Sequence, residues 1–387
     1  MNLDVFVTTA CNMQCLFCGA WKQDNPNQFI ELDKVFSILD AGKDYGFKYT
    51  TLSGGEPLMH PNILEIIDYA NNKGFWINIT TNGLLIDDKF LSSIKGKKVN
   101  IRVSFHSLKK ELHNKITNGD TYDQLVATIN RLKELRVYYS IGSTIFEENV
   151  DEIEQLAEFA LKSNAAFIRY SPVVSILKGN GIKLDQKFHE EMLVRIIKAA
   201  LKYKNYLSYP KKNLNLIGDP IDIMTTRRCP AGSDIFMIVD ANQDIIPCQF
   251  FPSEVEYPHC KYTCCDDFKK LKNEMNGMFS EDFLDNLQGE CKDCSFKSVC
   301  YGSCIGNKLT RGLKLTDEQP LCLRKIMKNA LSGFSSKEME DLMQYWYYHY
   351  NQRVSIFDRN KSCIRKLPIW ELNFKYGIQQ NFQDTAY

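Results

Sequence analysis

The chain has 387 residues, enough for two domains with proper cores, and its 44% hydrophobic and 25% charged residues are an ordinary globular profile. Lys plus Arg is 48 against 47 Asp plus Glu, a formal net charge of +1, so the general basic footprint of a nucleic-acid binder is missing. No apolar run reaches the length of a membrane span, and the opening MNLDVFVTTA carries no Lys or Arg, so neither membrane nor secretory signal is expected and the cytoplasm is the expected compartment.

From the N-terminus, β-branched runs alternate with amphipathic ones. Strands are predicted at Asp4–Thr8, Lys48–Leu52, Trp76–Thr80, Val99–Ser104, Tyr138–Ile145 and Ala166–Tyr170. Between them lie segments of helical period, such as Leu32, Val35, Phe36 and Leu39, or Ile63, Ile66, Ile67 and Ala70. Six strand–helix repeats predict an α/β fold with a parallel sheet and right-handed crossovers, as an open doubly wound sheet or a partial barrel. Either one gathers ligands at the C-terminal ends of its strands. Residues 172–184 read as a connector, and a helix follows from Gln186 to about Tyr203 with Asp185 as N-cap. The stretch 204–228 is polar and irregular. From Cys229 to Cys322 the chain is turn-rich and cysteine-rich, a composition held by metal sites more than by an apolar core. Ser335 and Glu338 form a capping box for a helix through about Tyr350. The expected divisions are 1–204, a bridge at 205–228, a cysteine-rich domain at 229–325, and a helical, aromatic extension at 326–387.

Fourteen cysteines in a reducing compartment point to metal or cluster ligation more than to disulfides. Cys11, Cys15 and Cys18 open the chain, ten more run from Cys229 to Cys322, and Cys363 stands alone as a buried or incidental thiol. The first three, spaced C-x3-C-x2-C directly after the first strand, can hold three irons of a 4Fe–4S cube. The fourth iron is then open to a small chelating molecule. A zinc knuckle is the plainer alternative, but it needs a fourth protein ligand, and the closest histidine is His60. Ser53-Gly54-Gly55-Glu56-Pro57 ends the second strand, facing that loop. Its two glycines allow close backbone approach, and Glu56 can accept from an ammonium group.

On these residues (Cys11, Cys15 and Cys18 with the aromatic Phe17, and Gly54, Gly55, Glu56 and Pro57), roughly residues 1–171 resemble the radical S-adenosylmethionine (SAM) superfamily. The resemblance implies a partial (β/α)6 TIM-like barrel whose open iron chelates SAM. Reductive cleavage then gives a 5′-deoxyadenosyl radical that abstracts a substrate hydrogen. It also implies SAM contacts at Thr81-Asn82-Gly83 and Ser104. Related enzymes often carry an arginine for the methionine carboxylate where this chain has Thr117, which leaves Lys115 or Arg169 for that task.

In the C-terminal half, Cys291-x2-Cys294-x5-Cys300-x3-Cys304 with Cys322 alone permits a zinc site, but Cys229 and Cys248 make seven cysteines, too many for one zinc. The set resembles the SPASM domain of peptide-modifying radical enzymes, with Gln243 where a glycine is usual. The resemblance implies two auxiliary 4Fe–4S clusters, three clusters in all. Cys291, Cys294, Cys300 and Cys322 would complete one. Cys229, Cys248 and Cys304 would hold the other, with a further ligand from Cys260, Cys264 or Cys265, or an iron open to substrate. Sulfatase-maturing members place an aspartate after the second of these cysteines as a base. Gln249 stands there and cannot accept the proton, so formylglycine formation is disfavoured.

The remaining features read more plainly. Tyr345–Tyr350, Trp370, Phe374 and Tyr376 suit a tail packing on the barrel better than a peptide-gripping surface, His106 and His113 read as polar loop residues, and Lys95–Lys98 as a solvated turn. The expected function is oxidative modification, by cross-linking, of a ribosomally made precursor peptide. Flavodoxin or ferredoxin would supply electrons. Only ten residues precede Cys11, so leader recognition is expected from the barrel, the tail or a separate protein. The alternatives are an oxidoreductase for a small metabolite of the aminoglycoside or tetrapyrrole class, and a non-catalytic electron carrier.

Overall fold

The computed structural model describes residues 1–19, 25–173, 185–207, 215–218, 236–249, 257–278, 282–294, 297, 302, 304–318 and 321–342. Cys229, Cys300, Cys363 and the aromatic residues from Tyr345 onward lie outside the described residues.

Six strand–helix units come first. In chain order they are β1 (Asn2–Thr8), α1 (Leu32–Tyr45), β2 (Tyr49–Gly54), α2 (Ile63–Asn72), β3 (Trp76–Thr81), α3 (Asp88–Ser93), β4 (Val99–Ser104), α4 (Lys110–Thr117), α5 (Tyr122–Glu134), β5 (Tyr139–Ile145), α6 (Ile153–Lys162), β6 (Phe167–Pro172) and α7 (Gln186–Leu207). All six expected strands form, in parallel register from β1 to β6. Asp185 caps α7 as expected, its carboxylate accepting from the Phe188 N–H at 2.8 Å.

Two features go beyond the sequence expectation. Within the stretch read as an irregular bridge, Asn215–Gly218 forms β7 and pairs in parallel with β6. Within the cysteine-rich part, β8 (Phe236–Val239) pairs in parallel with β1, and β9 (Asp244–Ile246) and β10 (Cys260–Lys261) follow antiparallel. One ten-stranded sheet results, in the order β10-β9-β8-β1-β2-β3-β4-β5-β6-β7. Three further helices follow, α8 (Asp266–Gly277), α9 (Ile305–Thr310) and α10 (Leu323–Leu331), before the helical residues at 336–342. The last packs on α7, where the Asn329 amide donates to Glu190 at 2.7 Å. The expected capping box is present as well, Ser335 and Glu338 each accepting from the other's backbone N–H at the start of the helical turns at 336–342.

Strand alternation builds the core and the lumen together. Leu3, Val5 and Val7, then Leu52, Ile79 and Ile101, face the helices and are fully buried. The opposite face carries Asp4, Ser53, Asn78, Arg102, Ser104 and Arg169, all partly accessible. The partial barrel is therefore packed by apolar side chains on its outer face and lined mostly by polar ones within.

Candidate active site

The loop that follows β1 carries Cys11, Cys15 and Cys18, and four independent contacts fix it. Thr8 and Thr9 accept and donate across to residues 25–28, with Thr9 N–H to the Gln28 carbonyl at 2.9 Å and Thr8 Oγ1 to the same oxygen at 2.6 Å. The Leu16 N–H donates to the Ile116 carbonyl at 3.0 Å, tying the loop to α4. The Phe17 ring meets His106 edge-on at 5.2 Å and Phe146 at 5.8 Å. Asn82 donates to Asn12 at 2.6 Å.

The end of β2 lies directly against this loop. The N–H groups of Gly55 and Glu56 donate to the carbonyls of Thr8 (2.8 Å) and Ala10 (2.7 Å). A Cβ on Gly54 would fall 2.1 Å from the Thr8 oxygen, and one on Gly55 would fall 2.1 Å from the Ala10 oxygen. Gly54 also holds a φ of +134°, so both glycines are required for the backbones to meet.

Glu56 is buried, and its carboxylate accepts three hydrogen bonds from its own chain: Leu58 N–H (3.1 Å), Thr81 Oγ1 (2.7 Å) and Asn82 N–H (2.8 Å). Burial still pushes it up to about 7, against the lowering effect of those bonds. The glutamate thus clamps β2 to the turn after β3, a role the sequence does not reveal. Asn82 Oδ1 and Thr81 Oγ1 accept in turn from the Leu84 and Gly83 N–H groups, both at 3.0 Å.

The thiols fit a cluster. Burial first, then Cys18 and Cys11, push Cys15 up to about 12. Burial pushes Cys11 up to about 11 against a hydrogen bond from the Met13 backbone. Three crowded thiolates of this kind need iron charge to become ligands. His60 is not available as a fourth zinc ligand: its Nε2 is 2.9 Å from the Ile30 carbonyl, and its Nδ1 accepts from Asn62 N–H at 3.2 Å.

Ser104 ends β4 on the inner face, in the row that continues through Gly142 to Arg169. Lys115 points out to solvent beside Glu148 (3.4 Å), and the buried Thr117 hydroxyl bonds the His113 carbonyl at 2.9 Å. Of the two cations named as carboxylate partners, Arg169 is the one inside the barrel. His106 and His113 are buried rather than exposed in loops. His106 meets the Phe17 ring and stacks on His113 at 5.8 Å, and burial lowers the two histidines to about 3 and about 4.

In the C-terminal part, Cys291 and Cys294 form a turn with the Cys294 N–H on the Cys291 carbonyl at 3.3 Å, matching the Cys18-to-Cys15 turn at 3.1 Å. Cys304 and Cys322 precede the first residues of α9 and α10. Cys260 lies in β10, and Cys264 and Cys265 lead into α8, a segment packed on α1 through Tyr262–Ser37 (2.9 Å) and Phe268–Tyr45. Cys248 follows β9 by two residues. Ile246 of β9 pairs with Ile238, and Ile238 with Asp4, so Cys248 falls at the N-terminal end of β1 while Cys11 lies beyond its C-terminal end. The span of β1 between them is roughly 20 Å.

The chain's similarities to known proteins agree with this geometry. Residues 5–160 match the family model of the Radical SAM superfamily. These residues belong to the radical SAM superfamily. The AdoMet-dependent heme synthase of Methanosarcina barkeri is 23% identical over 343 residues, 82% of this chain and 94% of that protein. The antilisterial bacteriocin subtilosin biosynthesis protein AlbA of Bacillus subtilis is 24% identical over 352 residues, 87% of this chain and 72% of that protein. In fold, Streptococcus suis SuiB bound to its precursor peptide SuiA superposes with a TM-score of 0.65 at 18% identity, covering 83% of this chain and 75% of that one. The chain is thus similar over most of its length both to a bacteriocin biosynthesis protein and to a heme synthase. No helix among the described residues is long and apolar enough to cross a membrane.

Proposed function

We propose that this chain is a cytoplasmic radical SAM enzyme that oxidatively cross-links a ribosomally made precursor peptide. The observation that carries this reading is the sheet itself. β8 joins the cysteine-rich part to β1, and this strand of the polar lumen has the Cys11–Cys18 loop beyond its C-terminal end and Cys248 level with its N-terminal end. A substrate in that lumen has a radical source on one side and an electron acceptor on the other, the arrangement that a net two-electron oxidation needs. Similarity to AlbA across 87% of the chain supports the peptide class, and the fold shared with peptide-bound SuiB agrees with it.

In this reading residues 1–204 carry the radical chemistry and 229–325 the auxiliary clusters. Cys11, Cys15 and Cys18 hold the SAM-binding 4Fe–4S cluster, which when bound supplies one-electron reductive cleavage of SAM. Phe17 and Pro57 shape the loop around it. Gly54 and Gly55 bring the β2 backbone to the methionine end. Thr81, Asn82 and Glu56 hold that edge rigid. Ser104 and Arg169 offer a hydroxyl and a guanidinium, level with each other, for the ribose and the carboxylate. Cys248, Cys304, Cys291, Cys294 and Cys322, with Cys229 and Cys300, serve two auxiliary clusters. Flavodoxin or ferredoxin is the donor, and a separate protein is the candidate for leader recognition.

The test is co-expression with each short open reading frame flanking the gene, followed by intact-mass spectrometry of the peptide. Loss of two hydrogens, abolished by Cys15→Ala, supports the reading. An unchanged mass without deuterium uptake from heavy water turns the search to small metabolites. That second reading, a tetrapyrrole-class substrate, has one specific support: the match covers 94% of the heme synthase.

A further inference from the structure

We propose that Asp4, on the inner face of β1, is the base that takes the proton released when the substrate radical closes its cross-link. The inference rests on the peptide reading and deepens it, by naming the group in the lumen that handles this proton. The first hydrogen leaves the substrate carbon for 5′-deoxyadenosine. The carbon radical then bonds to X of an X–H group in the same peptide, which breaks the X–H bond and leaves one proton and one electron to be removed. The electron passes to an oxidised 4Fe–4S cluster of the cysteine-rich part, and the proton needs an acceptor within the barrel.

Among the described residues of β1–β7, alternation puts three other ionisable side chains on the inner face: Tyr49, Arg102 and Arg169. Guanidiniums accept no proton, and burial pushes the Tyr49 phenol above its ordinary value, so it stays protonated. Glu56 is 1% exposed and its carboxylate is taken up by Leu58, Thr81 and Asn82, whereas Asp4 is partly accessible. Gln249, beside Cys248, is an amide and does not act as a base.

The position of Asp4 along the barrel fits the same step. It pairs with Ile238 on β8, which pairs with Ile246 on β9, two strands and about 10 Å away. Cys248 is two residues past Ile246, and Cys11 is seven residues past Asp4, beyond the other end of β1. Proton and electron therefore leave the substrate toward the same side. The groups that face Asp4 are Asn2 on its own strand, Thr51 on β2, Arg102 on β4 and Arg169 on β6, while its β8 neighbour Ile238 is apolar. Burial is the largest influence and lifts the carboxyl to about 6, against the hydrogen bonds from Thr51 and Asn2 and the charges of Arg102 and Arg169. Such a carboxylate is ionised at neutral pH yet holds a proton better than an ordinary aspartate, the balance a general base needs.

The experiment uses the cluster-loaded full chain and the precursor peptide from the co-expression test, deuterated at carbon. Mass spectrometry reads cross-linked peptide per 5′-deoxyadenosine formed, a ratio that does not depend on how fast the radical is made. In the wild type the ratio is expected to fall as pH drops through about 6, because the base must be ionised. Asp4→Asn is expected to lower it about a hundredfold while deuterium from the peptide still reaches 5′-deoxyadenosine. Thr51→Val removes a donor to the carboxylate and is expected to move the pH midpoint up by about one unit. It stands in should Asp4→Asn fail to fold.

A ratio unchanged in Asp4→Asn overturns the proposal. So does a midpoint that Thr51→Val leaves in place, or joint loss of cross-link and deuterium transfer in a folded Asp4→Asn, since Asp4 then serves binding. Infrared difference spectra of wild type against Asp4→Asn, taken without peptide or reductant, read the carboxyl alone. A protonated C=O band that fades as pH rises through about 6 is expected, and a carboxyl ionised throughout overturns the proposal. A wild type that leaves the peptide mass unchanged fails the peptide reading instead, and the infrared titration still tests Asp4, so the two failures are distinguishable.

Discussion

Asn12 in the cysteine loop and Asn82 after β3 are 70 positions apart in sequence and share a 2.6 Å hydrogen bond. The loop is thereby fastened to the strand edge that Glu56 already joins to β2. Asn82→Ala removes this bond and the turn bond to Leu84. A loss of about 1–2 kcal/mol in urea denaturation is expected, with faster iron release to a chelator at unchanged secondary structure.

Glu56→Gln keeps the size of the side chain but turns one acceptor into a donor, facing N–H groups with N–H. One of its three partners is left unsatisfied in a buried site. The expected cost is about 2 kcal/mol at neutral pH. Glu56→Asp, too short to reach both strands, is expected to fare no better. Thermal melts of the two variants check this.

Gly55→Ala places a methyl group against the Ala10 carbonyl at a distance no van der Waals contact permits. The strand end must withdraw from the loop. About 3 kcal/mol of destabilisation is expected, together with loss of iron after anaerobic reconstitution, read by absorbance near the charge-transfer bands.

Acidification should separate two opposed groups. His106 and His113 have folded values near 3 and 4 against an ordinary 6.5. Between those limits the unfolded chain binds more protons, so their contribution to stability falls as pH drops from about 6.5 toward 4. Glu56 has a folded value near 7 against an ordinary 4.5. There the folded chain binds more protons, so its contribution rises as pH drops from about 7 to 4.5. Two histidines outweigh one glutamate, so the wild type is expected to lose about 1–2 kcal/mol between pH 7 and 5. Glu56→Gln, which removes the compensating group, should lose stability more steeply, by about 2–3 kcal/mol between pH 7 and 5. Denaturant titrations at the two pH values decide it.

Gln243 stands in the β8–β9 turn with a φ of +66°, in the left-handed region. Its position matches the glycine that the SPASM pattern usually has. Gln243→Gly relieves the strain and should stabilise the fold by about 1 kcal/mol. A lower melting temperature would contradict that account of the turn.

Much of the barrel is legible in the sequence because its signal is local. Val99–Ser104 is delimited to the residue, and the other five strands to within two residues at each end, since apolar alternation and helical period are both properties of short windows. The polar inner face is present in the same strings, as Asp4 in NLDVFVT and Arg102 in VNIRVS, but only the assembled sheet turns it into a lumen. β7 and β8 escape a local reading for the opposite reason. Asn215–Gly218 and Phe236–Val239 are four residues each, and what makes them strands is a neighbour far away in sequence. His106 and His113 read as polar because residue type carries no knowledge of tertiary packing; the loop folded over them makes them core. Glu56 reads from sequence as a ligand group, while its bonds to Leu58, Thr81 and Asn82 come from three-dimensional proximity that no spacing encodes.

The pairing of β8 with β1 also bears on how the chain assembles as it is made. The first strand emerges at residue 2, gains β2 on one side once residue 54 is made, and waits for residue 236 before its other side is covered. Until then a ribosome-bound nascent barrel displays an unprotected parallel edge, Asn2 to Val5, of the kind that recruits foreign strands. A truncated chain ending near residue 204 would carry that edge permanently and is expected to aggregate, even with every residue of the cysteine loop in place. Maturation of the iron sites is bound to the same schedule, because the sheet that seats Cys248 closes only after the sequence that seats Cys11 has long been folded.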